Sequence, residues 1–212
     1  MEELKLDCLL RILERLTLQD LITAVPFVCP SWYKASLNSL LWKDLDLSSW
    51  DTLAPRLKLA YKDEEKNISV SFKFLKFVVS RSGGSAISLH FPYDGVTLED
   101  LTYGMSSGIG LEEANAIITN IPKIKSLDLS GSLVSYKEMV VILMGCKELE
   151  ELNLKKFWNL VLDYEMFVRA KNVKNLQIEK SQVVGFCFMD ANMRFSDGME
   201  LAFGSEEQHF MF

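Results

Sequence analysis

Two histidines, four cysteines and adjacent glutamate pairs such as Glu64-Glu65, Glu112-Glu113 and Glu206-Glu207 are the residues of this 212-residue chain best suited to chemistry. His90 and His209, with Cys8, Cys29, Cys146 and Cys187, lack the close His/Cys spacing of a zinc site, so no metal is expected. The pairs Glu64-Glu65, Glu112-Glu113 and Glu206-Glu207 could act as acid and base only if two carboxylates converged in a cleft. Adjacent in sequence, they read as solvated faces. GxSxG, HExxH and GxGxxG are absent. The glycine-rich run 103–110 lacks GxxxxGK[ST] and reads as a connector. Catalytic residues and cofactors are therefore expected to be none. Lys73 to Phe77 interleaves basic and aromatic residues, and reads as an amphipathic helix rather than a nucleic-acid patch. A net charge of −6 argues the same way, because a general nucleic-acid binder presents a basic surface.

If this chain does no chemistry of its own, what its elements present becomes the question. Leu9, Ile12, Leu13 and Leu16 follow the i, i+3, i+4, i+7 spacing of one apolar helix face, with Asp7, Arg11, Glu14 and Arg15 opposite. Asp7 is expected to cap that helix. Asp20 is expected to open a second, carrying Leu21, Ile22 and Val25 and ended by Pro26. A third stretch holds Val28, Trp32, Tyr33, Ala35 and Leu37, and Pro30 sets its start or bends it. So short a helical trio cannot bury all its leucines internally, so apolar surface is left for a partner or for the rest of the chain.

The second half repeats. Residues 124–129, 149–154 and 173–178 share an LxxLxL frame, with steps of 25 and 24 residues between Leu127, Leu152 and Leu176. That period is the leucine-rich-repeat signature, each LxL a short strand with its leucines inward. Ser135 with Glu138 reads as a capping box over Met139, Val140, Ile142, Leu143 and Met144, with Gly145 as the stop. Asp163 is expected to cap the next helix, carrying Met166, Phe167 and Val168. Residues 45–47 read as the first strand and 51–67 as a charged loop. Ile68, Phe72, Leu75 and Val79 form a helix face ended by Gly83-Gly84, and residues 86–91 form the next strand. Thr97 and Asp100 suggest another cap, over Leu98 and Leu101. Leu89 to Leu127 spans 38 residues, about one and a half periods, so a strand is expected to be missing there. After about residue 180 the frame is lost, and that stretch reads as an end cap or tail.

Together these features resemble a plant-type F-box protein carrying leucine-rich repeats. Val28, Cys29, Trp32 and Tyr33 match the family's Val-Cys-x-x-Trp-Tyr pattern, and Trp42 and Leu45 its closing Leu-Trp…Leu pattern. The chain departs from the family at Lys5, where proline is usual, and at Pro30, where Lys or Arg is usual. The F-box it resembles is partial, its front edge short. The fold class expected is α/β: a three-helix F-box at 1–48, a short, irregular solenoid at 49–180 and a degenerate cap or tail at 181–212. The resemblance implies a non-catalytic substrate-recognition subunit of a Skp–cullin–F-box ubiquitin ligase. A Skp-type adaptor, and through it a cullin and RING protein, would be met by Leu4, Leu9, Ile12, Leu13, Val25, Pro26 and Trp32. A protein target would meet the outward strand residues Ser126, Asp128, Glu151, Asn153, Asn175 and Gln177. The alternative is a repeat scaffold that no longer docks a ligase. No run of eighteen apolar residues suggests a membrane span, and no secretory signal is expected at the N-terminus. The widely spaced cysteines are read as free, buried thiols of a reducing compartment, nucleus or cytoplasm.

Overall fold

The computed structural model describes residues 5–49, 53, 72–91, 108–155, 164–178 and 200–201. The expectations for Leu4, for Ile68, for the loop 51–67 apart from Leu53, for the caps at Thr97 and Asp163 and for the cap or tail 181–212 apart from Glu200 and Leu201 lie outside those residues. So do those for Cys187, His209, Glu64-Glu65 and Glu206-Glu207. Leu53 itself is helical and buried.

Three helices open the chain: α1 (Leu6–Leu13), α2 (Leu18–Thr23) and α3 (Pro30–Ser36). Single 3-10 turns at Val25–Phe27 and Ser39–Trp42 join and close them. The caps differ from expectation. Helix α1 begins ahead of Asp7, with Lys5 at its cap, so Asp7 instead lies in the first turn, where its charge favours the helix dipole. Helix α2 is capped by Thr17, whose Oγ1 accepts from the Asp20 N–H at 3.1 Å and donates to the Asp20 carboxylate at 2.8 Å. Asp20 is thus the third residue of the helix, not its opener. Helix α3 starts at Pro30, as expected, because proline suits a first turn whose N–H has no partner.

Beyond the helices the chain alternates strand and helix. Strands β1 (Asp44–Asp46), β2 (Ser88–His90), β4 (Ser126–Asp128), β6 (Glu151–Leu154), β7 (Asn175–Ile178) and β8 (Glu200–Leu201) form one sheet in that order. Every neighbouring pair is parallel. Parallel neighbours require a crossover, which helices supply for the four pairs from β1 to β7. These are α4 (Phe72–Arg81), α5 (Leu111–Asn120), α6 (Tyr136–Gly145) and α7 (Tyr164–Arg169), each packed on the next. The register places Leu45, Leu89, Leu127, Leu152 and Leu176 side by side, all but inaccessible to solvent. Burying each such leucine contributes about 1.5–3 kcal/mol. The flanking Ile124, Leu129, Leu149, Leu154, Val173 and Ile178 are buried too, as the repeat frame requires.

The long step from Leu89 to Leu127 adds no strand to this sheet, since β2 pairs directly with β4. The glycine-rich run is not wholly a connector, however. Its end forms β3 (Gly108–Ile109), which pairs with β5 (Leu133–Val134) in a separate two-stranded sheet. Gly83 and Gly84 end α4 as expected, at φ 55° and 83°, values costly for any residue with a Cβ.

One local reading is corrected and another extended. Ser135 caps α6 by position, but its hydroxyl bonds the Glu138 carboxylate directly rather than the reciprocal backbone groups of a capping box. Gly145 is the last residue of α6 and a point of close approach: a Cβ there would overlap the Ile118 side chain of α5. The N-terminal helices share one continuous core with the sheet and its helices. Trp42 is a joint in it: its Nε1 donates to the Ser36 carbonyl at 2.8 Å while its ring meets Phe77 of α4 edge-on at 6.1 Å.

Candidate protein-docking surfaces

The first candidate surface lies on the opening helices. Leu9, Leu13 and Val25, expected to face a partner, are instead 0–2% exposed within the chain. Short helices lying against one another, α1 on α3 and α2 on the Val25–Phe27 turn, enclose them first. Pro26 and Trp32 are half-buried, Trp32 packed on the core. Ile12 alone of the described expected contacts stays open, at 43%. Other apolar residues are exposed instead: Leu6, Phe27, Val28, Tyr33, Leu37 and Leu40, with Phe27 at 69%. Val28 and Tyr33 belong to the motif read in the sequence, but helix phase alone did not assign them outward. The signal available for them was length: three helices of eight residues or fewer cannot surround so many large side chains.

The second surface is the outward face of the sheet. Alternation along each strand turns the leucines in and leaves two polar rows out. One row runs Asp44, Ser88, Ser126, Glu151, Asn175; the other runs Asp46, His90, Asp128, Asn153, Gln177. All six residues expected to meet a target therefore do share one face. They are tied laterally. The Ser126 hydroxyl donates to the Glu151 carboxylate at 3.0 Å, and the Asn153 amide donates to Asp128 at 3.1 Å. They are also tied along the chain. Asp46, Asp128 and Asn153 occupy equivalent positions, and each accepts from the N–H two residues on, at 2.8, 2.9 and 3.1 Å. At these three positions Asp or Asn thus turns the chain out of its strand, while His90 and Gln177 stand at the equivalent positions of β2 and β7.

His90 was missed as a member of this face. It stands between Asp44 and Asp128, its Nε2 3.8 Å from the first and its Nδ1 3.9 Å from the second. The contact with Asp128 does most to raise its pKa; burial opposes, and the charges of Asp44, Asp128 and Asp46 add to the rise. At Asp128, burial pushes the carboxyl pKa up, but the groups around it, His90, Ser130 and Asn153, outweigh this and hold it at about 2. Just before the strands, Glu150 pairs with Lys174 at 2.6 Å and Lys125 at 3.5 Å, which lowers its pKa.

The chemically suggestive residues fall elsewhere. Glu113 is not merely solvated: its Oε2 accepts from the Gly110 N–H at 3.0 Å, closing the start of α5. Cys8 and Cys29 are exposed rather than buried, and Cys146 is buried, its thiol pushed up to about 12 by desolvation. Among the described residues no cluster of His, Cys, Asp and Glu could hold a metal ion. No helix among them is long and apolar enough to cross a membrane. An open groove of about 560 Å³ lies between the turn before α2 and strand β1, lined by leucines with Glu14, Lys43, Asp44 and Asp46. Asp128, the carboxylate most perturbed among the described residues, does not line it.

No family model matches the chain. Two curated proteins of Arabidopsis thaliana do resemble it. The F-box protein FBW2 is 26% identical over 265 residues, spanning 94% of this chain and 82% of the relative. The F-box/LRR-repeat protein At3g48880 is 24% identical over 217 residues, spanning 93% of this chain and 68% of the relative. Likeness along nearly the whole chain to these two proteins supports a plant F-box/leucine-rich-repeat protein.

Proposed function

We propose that this chain is the substrate-recognition subunit of a Skp–cullin–F-box ubiquitin ligase. In this reading α1–α3, within residues 1–48, form the F-box that docks a Skp-type adaptor. Residues 49–180 form the short, irregular leucine-rich-repeat solenoid, and 181–212 its cap or tail. The outward strand residues Ser126, Asp128, Glu151, Asn153, Asn175 and Gln177 contact a protein target. The chain itself is no enzyme: holding a target beside a ubiquitin-charged partner raises its effective concentration without any catalytic group here. It works in the nucleus, the cytoplasm or both.

One observation carries the reading. Over residues 6–40 seven large apolar side chains stay exposed although the helices have already filled their own core with Leu9, Leu13 and Val25. Exposed apolar surface of this kind marks a protein-binding region. The experiment is a binding assay of the full chain against a purified Skp-type adaptor. Binding that is lost in Val28→Asp and Ile12→Asp, with the thermal midpoint unchanged, is the expected result. No binding of the wild type at micromolar concentration overturns it in favour of a repeat scaffold that docks no ligase.

A further inference from the structure

His90 has an unusual setting: both of its ring nitrogens look at carboxylates on different strands, Asp44 of β1 and Asp128 of β4. A neutral imidazole carries one N–H and one lone pair, so one of its two nitrogens must turn a lone pair toward a carboxylate. Only the imidazolium offers a proton to both. The third charged group facing it, Asp46 of β1, is also a carboxylate. We infer that His90 is a proton-operated clamp that, when charged, ties β1, the strand following the N-terminal helices, across β2 to β4. Both links are at ion-pair rather than hydrogen-bond distance, and the side chain is 37% exposed, so the clamp is soft and open to solvent protons.

The clamp has a direction. A histidine whose folded pKa lies above its ordinary 6.5 stabilises the fold fully below that value and loses the contribution as pH rises through the folded pKa. Deprotonation removes the only cation among these four groups and leaves three neighbouring carboxylates on the outward face. Proton binding thus alters the charge of the face offered to a target as well as the hold on β1.

Two measurements on the full chain test this. In an NMR titration of the wild type, the His90 ring titrates above 6.5, and Asp128→Asn, which keeps the acceptor for the Ser130 N–H, brings it down. The sequence holds only one other histidine, so His90→Gln assigns the signal. In the second measurement the thermal midpoint is followed from about pH 6 to about pH 8. The wild type loses stability over that interval relative to His90→Gln. A His90 titration at or below 6.5, or identical pH profiles for the two proteins, overturns the clamp.

Discussion

Asp128 accepts hydrogen bonds from the Ser130 N–H and the Asn153 amide and lies 3.9 Å from His90, with its side chain 26% exposed. Its pKa of about 2, against 3.8 in the unstructured chain, makes it a source of acid sensitivity. Because the folded value is the lower one, its contribution is fully present above 3.8 and disappears as pH falls through about 2. A shift of this size corresponds to roughly 2 kcal/mol. Asp128→Asn is therefore expected to flatten the loss of stability between those pH values, read by urea unfolding. Cys146 makes a second case at this scale. Desolvation keeps its thiol protonated at neutral pH, while Cys8 and Cys29 stand in solvent. Iodoacetamide on the native chain should modify Cys8 and Cys29 and leave Cys146 intact, as peptide mass spectrometry would show.

Each strand adds one leucine to the row that runs from Leu45 to Leu176, so the row is as sensitive in the middle as any core. Leu152→Ala should cost about 2–5 kcal/mol in urea, because neighbouring strands held in register cannot collapse into the cavity. The helix layer has its own tight point at Gly145, where α6 meets Ile118 of α5. In a helix interior alanine ordinarily replaces glycine with a gain of up to about 1 kcal/mol. Here the added methyl overlaps a side chain, so Gly145→Ala is expected to destabilise by about 1–3 kcal/mol. A gain in urea midpoint would show that Ile118 yields freely.

Across the whole molecule, Trp42 joins the helices to the strand stack through the Ser36 carbonyl and Phe77. Ser85 adds a second link, its hydroxyl donating to the Ser39 carbonyl at 2.7 Å. With one shared core, damage at the joint should spread both ways. Trp42→Ala is expected to cost about 3–5 kcal/mol and to lower hydrogen-exchange protection in α1–α3 and in β1, β2 and α4 alike. Loss confined to one side would mean the two parts fold independently. Exposed residues should behave oppositely: Val28 and Ile12 carry the proposed docking, so changing them should affect adaptor binding and leave the midpoint in place.

What the amino-acid order determined was the local periodicity and its punctuation. The 24- and 25-residue steps between leucines located three strands of the sheet, and Gly83-Gly84 and Pro30 marked helix ends correctly. Such signals are short-range, because a strand's two faces, a turn's φ and a helix's first residue depend on a few neighbouring positions. Exposure did not follow from them. Leu9 and Ile12 share an apolar face in the sequence, yet only the packing of α1 on α3 decided that one is buried and the other open. His90 and Asp44 are far apart along the chain, and only strand pairing brought a histidine between two carboxylates. Burial and cross-strand neighbours are set by which distant segments come to lie side by side, and local spacing carries no record of that.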